Sequence, residues 1–117
     1  MNLPKKISIH ISDPWEFGEA LKWRPLGGQI VDEAVTGEVL IKLEEALEYG
    51  ETKCGYLIGS PRHVGGHIDE IETGSKPLCA FTGIRKMEPD LKAAMIEVNN
   101  WRGGGIVFIG NISEHHK

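Results

Sequence analysis

The segment Ser60-Pro61-Arg62-His63-Val64-Gly65-Gly66-His67 sets a guanidinium, two imidazoles and a hydroxyl between a proline and a pair of glycines. Three chemistries fit these residue types. Arg62 and His63 can hold an anion, because a guanidinium grips phosphate or carboxylate through a charge-assisted fork. Backbone N–H groups near Gly65 and Gly66 can add to such a nest. His63 can act as general acid or base, since an unperturbed imidazole titrates near neutrality. His63 and His67 can ligate a metal together with Asp69 or Glu70. That last reading is weak, because a four-residue spacing joins two ligands on a helix and Gly65-Gly66 opposes a helix here. An ordinary surface turn competes with all three: Pro61 sets φ, the glycines reverse the chain, and Arg62 pairs with surface acids.

A second set pairs arginine with tryptophan. Trp23-Arg24 and Trp101-Arg102 each precede glycines and then an apolar pair, Ile30-Val31 and Ile106-Val107. Tryptophan and arginine are enriched at binding hot spots, and an arginine stacks on an indole. The plainer account is that large aromatics fill the core and that arginine and glycine end helices. Convergence of Arg24, Arg62 and Arg102 would make one anion-binding mouth. The candidate contact set is therefore Arg62, His63, His67, Arg24, Trp101 and Arg102.

Other polar groups have cheaper explanations. Asp13 and Glu16 suit helix capping better than paired acid–base work. Glu44, Glu45 and Glu48 read as a solvated face, and His115-His116 as a solvated pair. The chain carries no phosphate loop, no Gly-x-Gly-x-x-Gly, no His-Glu-x-x-His and no Gly-x-Ser-x-Gly, so no cofactor, metal site or catalytic residue is assigned. Ser60, followed by proline and lacking a base, is a poor nucleophile.

These residues must be positioned by short elements. Ile7, Ile9 and Ile11 alternate with Ser8 and His10, the period of a half-buried strand. Asp13-Pro14 starts a helix running to about Trp23, stopped by Pro25 and Gly27-Gly28. Gln29 to Val35 reads as a strand. Residues 38–49 suit either state. Leu, Glu and Ala favour a helix, whereas strand spacing aligns Val39, Ile41, Leu43, Leu47 and Tyr49 and leaves only Glu45 out of place. A strand is preferred, because Gly50-Glu51-Thr52-Lys53 would then turn it into the strand Cys54–Gly59. Residues 68–71 and 77–83 read as two more strands. Glu88-Pro89-Asp90 opens a second helix, with Pro89 at its first position and Leu91, Ala94, Met95 and Val98 as its buried stripe. Ile106–Ile109 reads as a strand buried on both faces, continued by Asn111 and Ile112.

Composition bounds the rest. A chain of 117 residues, 40% hydrophobic and 26% charged, is expected to form a single globular domain over residues 1–117. Fifteen glycines imply many turns and bulges. A net charge of −4 lacks the basic footprint of a nucleic-acid binder, so no nucleic-acid partner is expected. Cys54 and Cys79, both in apolar surroundings, read as buried thiols. With neither a leader-like segment nor a stretch of membrane-spanning length, cytoplasmic residence without a membrane partner is the default expectation. The expected fold is α+β and β-rich: a small, mostly antiparallel barrel or half-barrel of roughly five to seven strands with two short helices. The expected function is a binding or interaction module for a small anionic ligand or a protein partner, with residues 60–67 as the anion-facing loop, and a homo-oligomer is compatible with it. The alternative is a small hydrolase or phosphoester-processing enzyme, with His63 as acid/base and Arg62 stabilising negative charge.

Overall fold

In a computed structural model, residues 3–14, 17–21, 25–61, 78–99 and 106–114 are described. The elements run β1 (Lys5–Asp13), α1 (Gly18–Leu21), β2 (Leu26–Glu33), β3 (Val39–Tyr49), β4 (Thr52–Pro61), β5 (Leu78–Ile84), α2 (Leu91–Asn99) and β6 (Val107–Glu114). Each strand pairs with the next in antiparallel register, and β6 returns to β1 to close a barrel in the order β1-β2-β3-β4-β5-β6. Closure leaves neither edge strand with a free ladder. The expected barrel is therefore present and complete. Among the described residues the helical part is smaller than expected: one helix, α2, and a single turn, α1. Asp13 is the last residue of β1, and the Phe17 N–H donates to the Pro14 carbonyl at 2.9 Å.

Alternation explains the interior. Ile7 and Ile9 of β1, Ile30 of β2, Val39 and Ile41 of β3, Leu57 of β4, Phe81 of β5 and Phe108 and Ile112 of β6 point inward and are buried in one cluster. A six-stranded barrel is narrow enough to be filled by its own side chains. Phe81 and Phe108, opposite each other on the paired strands β5 and β6, stack at 5.0 Å with ring planes 20° apart. Phe17, just before α1, and Leu21, its last residue, join the same cluster, and Phe17 meets the Tyr49 ring edge-on at 4.9 Å.

Residues 38–49 form a strand as the spacing suggested, and the residue that broke the pattern marks a real irregularity. Lys42 faces Tyr56 but Leu47 faces Cys54, so residues 43–46 of β3 stand against Gly55 alone on β4. Glu45 falls in this bulge and is exposed. The extra residues bend the strand and increase its local twist. A second irregularity, at Val31 between the Ile30–Ile41 and Asp32–Leu40 pairs, turns Val31 outward.

Outside the barrel a smaller cluster forms beneath α2. Leu40, Ile58 and Ile84 from three neighbouring strands meet Ala94, with Val31, Tyr56, Leu91, Met95 and Val98 packed around them. The expected stripe Leu91-Ala94-Met95-Val98 is thus the buried face of α2. Its start lies later than expected. Asp90 is the cap, its Oδ1 accepting from the Ala93 N–H at 2.7 Å, so Pro89 lies outside the helix and is not its first residue.

Three further boundaries differ. Gly27 and Gly28 do not stop a helix but lie in β2, where Gly28 pairs with Leu43, and Val35 falls in the exposed turn after the strand. β6 is buried on one side only: Phe108 and Ile112 point in, while Val107 and Ile109 are partly exposed. Ser60 and Pro61 belong to β4, facing Ala80 and Cys79, so any turn in the 60–67 segment begins after them.

Candidate functional site

The strand order separates the barrel into two ends. β1, β3 and β5 finish where β2, β4 and β6 begin, at the end that carries the Gly50–Glu51 turn, α1 and the β5–α2 connection. Pro61 and Leu78 lie at the opposite end. Arg62, His63 and His67, and likewise Arg24, Trp101 and Arg102, lie outside the described residues. Their described neighbours fall at different ends: Pro61 and Leu78 at one, Pro25 and Ile106 at the other. Residues 68–71, Glu16, His115 and His116 also lie outside the described residues.

Among the described residues, chemistry gathers at the first of these ends, on the outer side of β4. A groove of about 700 Å³ opens there between the β3–β4 hairpin and the connection from β5 to α2. Its lining includes Ala46, Lys53, Gly55 and Tyr56 on the hairpin side and Arg85, Lys86, Met87 and Glu88 on the other. Ala46, within the β3 bulge, lines the gap. Gly50, at φ 60°, takes the left-handed conformation that a two-residue turn requires and that glycine adopts without strain. At Gly55 an added Cβ would meet no atom within 4 Å, so the floor of the groove is bare backbone. Tyr56 is anchored at its base by the cluster beneath α2.

The opposite wall is a tethered strap. Glu97 of α2 accepts the Arg85 N–H at 2.7 Å and the Lys86 N–H at 3.1 Å, and its carboxylate lies 3.7 Å from Arg85 Nε. Asp90 caps the following helix and Pro89 is buried, so both ends of the strap are fixed. Between them Met87 is almost fully solvent-accessible and Glu88 sits at φ 46°, a conformation that costs a non-glycine residue about 1 kcal/mol. Strained backbone of this kind gathers at ligand clamps and switches, which makes the strap a candidate for one.

The groove's charge is uneven. Lys53, Arg85 and Lys86 bring three cations against the carboxylates of Glu51 and Glu88. Lys53 is 3.8 Å from Glu48, and both side chains are about 70% exposed, so this pair contributes little. Arg85 shares Glu97. Lys86 has no acidic partner for its ammonium among the described residues.

Elsewhere the polar groups are satisfied or scattered. His10 Nε2 and Ser113 Oγ lie 3.1 Å apart on the barrel exterior, and Ser12 donates to Asn111 Oδ1 at 3.0 Å. Asp13 and Asp32 sit at opposite ends of the barrel. No group of three or more His, Cys, Asp or Glu side chains able to hold a metal occurs among the described residues. Cys54 and Cys79 are both buried, and neither is in a disulfide. Cys79 faces Pro61, seven residues along β4 from Cys54, which separates the two by roughly 20 Å at ordinary strand rise. Burial raises the Cys54 thiol to about 11 and the Cys79 thiol to about 12, far from the activated range of a nucleophilic cysteine.

Sequence reasoning missed this groove. Gly50–Lys53 registered only as a turn, Glu88 only as part of a helix start, and Arg85–Met87 not at all. The misfit of Glu45 was the available signal for the bulge, and Met87 among charged neighbours was a signal for the strap. No helix among the described residues is long and apolar enough to cross a membrane. No family model matches the chain, and comparison with curated proteins and with solved structures finds no match for it either.

Proposed function

We propose that the domain is a non-catalytic binding module that takes a ligand bearing an anionic group in the groove between the β3–β4 hairpin and the 85–88 strap. The observation that carries this reading is Lys86: an ammonium without an acidic partner among the described residues, beside Arg85 and across from Lys53, on the rim of a groove whose size suits a small molecule. Binding from outside agrees with a barrel interior packed with its own side chains. The anion-facing segment 60–67, with Arg62, His63 and His67, is proposed as a second contact surface for a small anionic ligand or an acidic protein partner, separate from the groove.

Backbone amide titration by NMR with sodium acetate and inorganic phosphate tests the proposal. The expected result is saturable movement of the Lys53, Arg85 and Lys86 resonances, with dissociation constants up to about 10 mM, the regime of one exposed charge contact. Lys86→Glu should abolish that movement. Saturable movement confined to residues 62–67 would relocate the site to the loop. Absence of saturable movement anywhere would overturn the reading.

A further inference from the structure

The groove's lining favours one class of anion over others. Gly55 presents bare strand backbone with open space above it, so a flat body can lie directly on β4. Tyr56 adjoins this surface, its base packed against the cluster of Leu40, Ile58, Ile84 and Ala94, which holds the ring without freezing new rotamers on binding. Met87 lines the facing wall, and its side chain is almost fully exposed. A thioether and a phenol ring on either side of a slot suit a planar aromatic body, through sulfur–aromatic and ring–ring contacts. Arg85 and Lys86 on the strap and Lys53 on the hairpin supply cations from the two walls of the same slot, and the carboxylates of Glu51 and Glu88 oppose a second negative group.

From this arrangement we infer that the groove binds a small aromatic mono-acid, its ring over Gly55 between Tyr56 and Met87 and its acidic group at Lys86 and Arg85. The inference rests on the anion-binding reading above and adds the aromatic body. The 85–88 strap, tied by Glu97 and strained at Glu88, is the wall against which the ring stands.

The test uses the full chain and three probes: 2-naphthoate, the neutral 2-naphthalenemethanol, and acetate. Amide shifts at Lys53, Gly55, Tyr56 and residues 85–88 should report 2-naphthoate at least tenfold tighter than acetate, with the neutral alcohol at least tenfold weaker than 2-naphthoate. A Cβ at Gly55 would meet no atom within 4 Å and the position lies outside the left-handed region, so Gly55→Leu directs a side chain into the groove. It should weaken 2-naphthoate at least tenfold and leave acetate within twofold. Met87→Ala, at an exposed position with little bearing on folding, should weaken 2-naphthoate several-fold. Equal affinity for 2-naphthoate and acetate, or 2-naphthoate binding unchanged in both variants, overturns the aromatic inference while the anion reading stands. Absence of binding by both acids overturns the two together.

Discussion

Gly83 and Cys54 test the barrel's register most directly. They lie on β5 and β4, and a Cβ added at Gly83 would stand 2.7 Å from Cys54 Sγ, 3.2 Å from Cys54 Cβ and 3.3 Å from the Ile106 carbonyl oxygen. The thiol occupies the space that the glycine leaves open. Cys54 is fully buried, so its sulfur has no solvent-facing rotamer to retreat into. Gly83→Ala should therefore cost about 2–3 kcal/mol, the upper part of the range for overpacking, even after the gain of up to ~1 kcal/mol from a less flexible unfolded chain. Cys54→Ala alone should cost about 1–2 kcal/mol through lost burial and the small void. In the double variant the new methyl enters the volume vacated by sulfur, and the closest remaining side-chain approach is the 3.2 Å between the two Cβ atoms. The double variant should then be no less stable than Gly83→Ala, a coupling of about 1–2 kcal/mol in a double-mutant cycle. Equilibrium urea unfolding followed by circular dichroism supplies the four free energies. Additivity within about 0.5 kcal/mol would refute the reasoning, since it would mean that the two residues do not share space.

Two further outcomes follow from the same geometry. At Gly27 the three atoms nearest an added Cβ all belong to the carboxylate end of Glu44, an exposed side chain that can swing away, whereas at Gly28 it would lie 2.8 Å from the Lys42 carbonyl oxygen, which is backbone. Gly27→Ala should change stability by less than about 0.5 kcal/mol and Gly28→Ala should lower it by about 2 kcal/mol or more, read from urea midpoints; equal costs would place β2 out of register with β3. The buried thiols give a pH dependence. Their folded values, about 11 for Cys54 and about 12 for Cys79, lie above the ordinary 9.0, so the folded state holds its thiol protons where the unfolded chain releases them. Their contribution is complete below pH 9.0 and is lost as pH rises through the folded values, on the order of 3–4 kcal/mol for each group. Denaturant midpoints between pH 8 and 11 should fall less steeply in Cys54→Ala and Cys79→Ala than in the parent (roughly the span set by the thiol shifts); identical slopes would contradict burial of the thiols.

Much of the scaffold was legible because it depends on local period. Ile7 and Ile9 declared β1 through strict alternation, and Leu91-Ala94-Met95-Val98 declared the buried face of α2 through helical spacing. Residues 38–49 were harder, since their Leu, Glu and Ala favour a helix; the strand prevails because both neighbours, β2 and β4, pair with it and its inward residues complete the core. Misreadings came where a local signal has two meanings. Glycines that stop helices also permit close strand approach, as at Gly28, and a proline that opens helices also precedes a cap, as Pro89 does before Asp90.

The sequence by itself determined which residues are apolar at strand and helix period, and with them a small antiparallel β structure carrying an amphipathic helix and two buried thiols. Closure of the barrel, the burial of its interior and the existence of the groove were decided only by the tertiary structure. Closure requires β6 to find β1 across the whole chain, which no local pattern encodes. The groove requires a bulge on β3, a bare Gly55 on β4 and a strap tied to Glu97 on α2 to meet, and residues that distant in sequence acquire a common chemistry only once packing has placed them side by side.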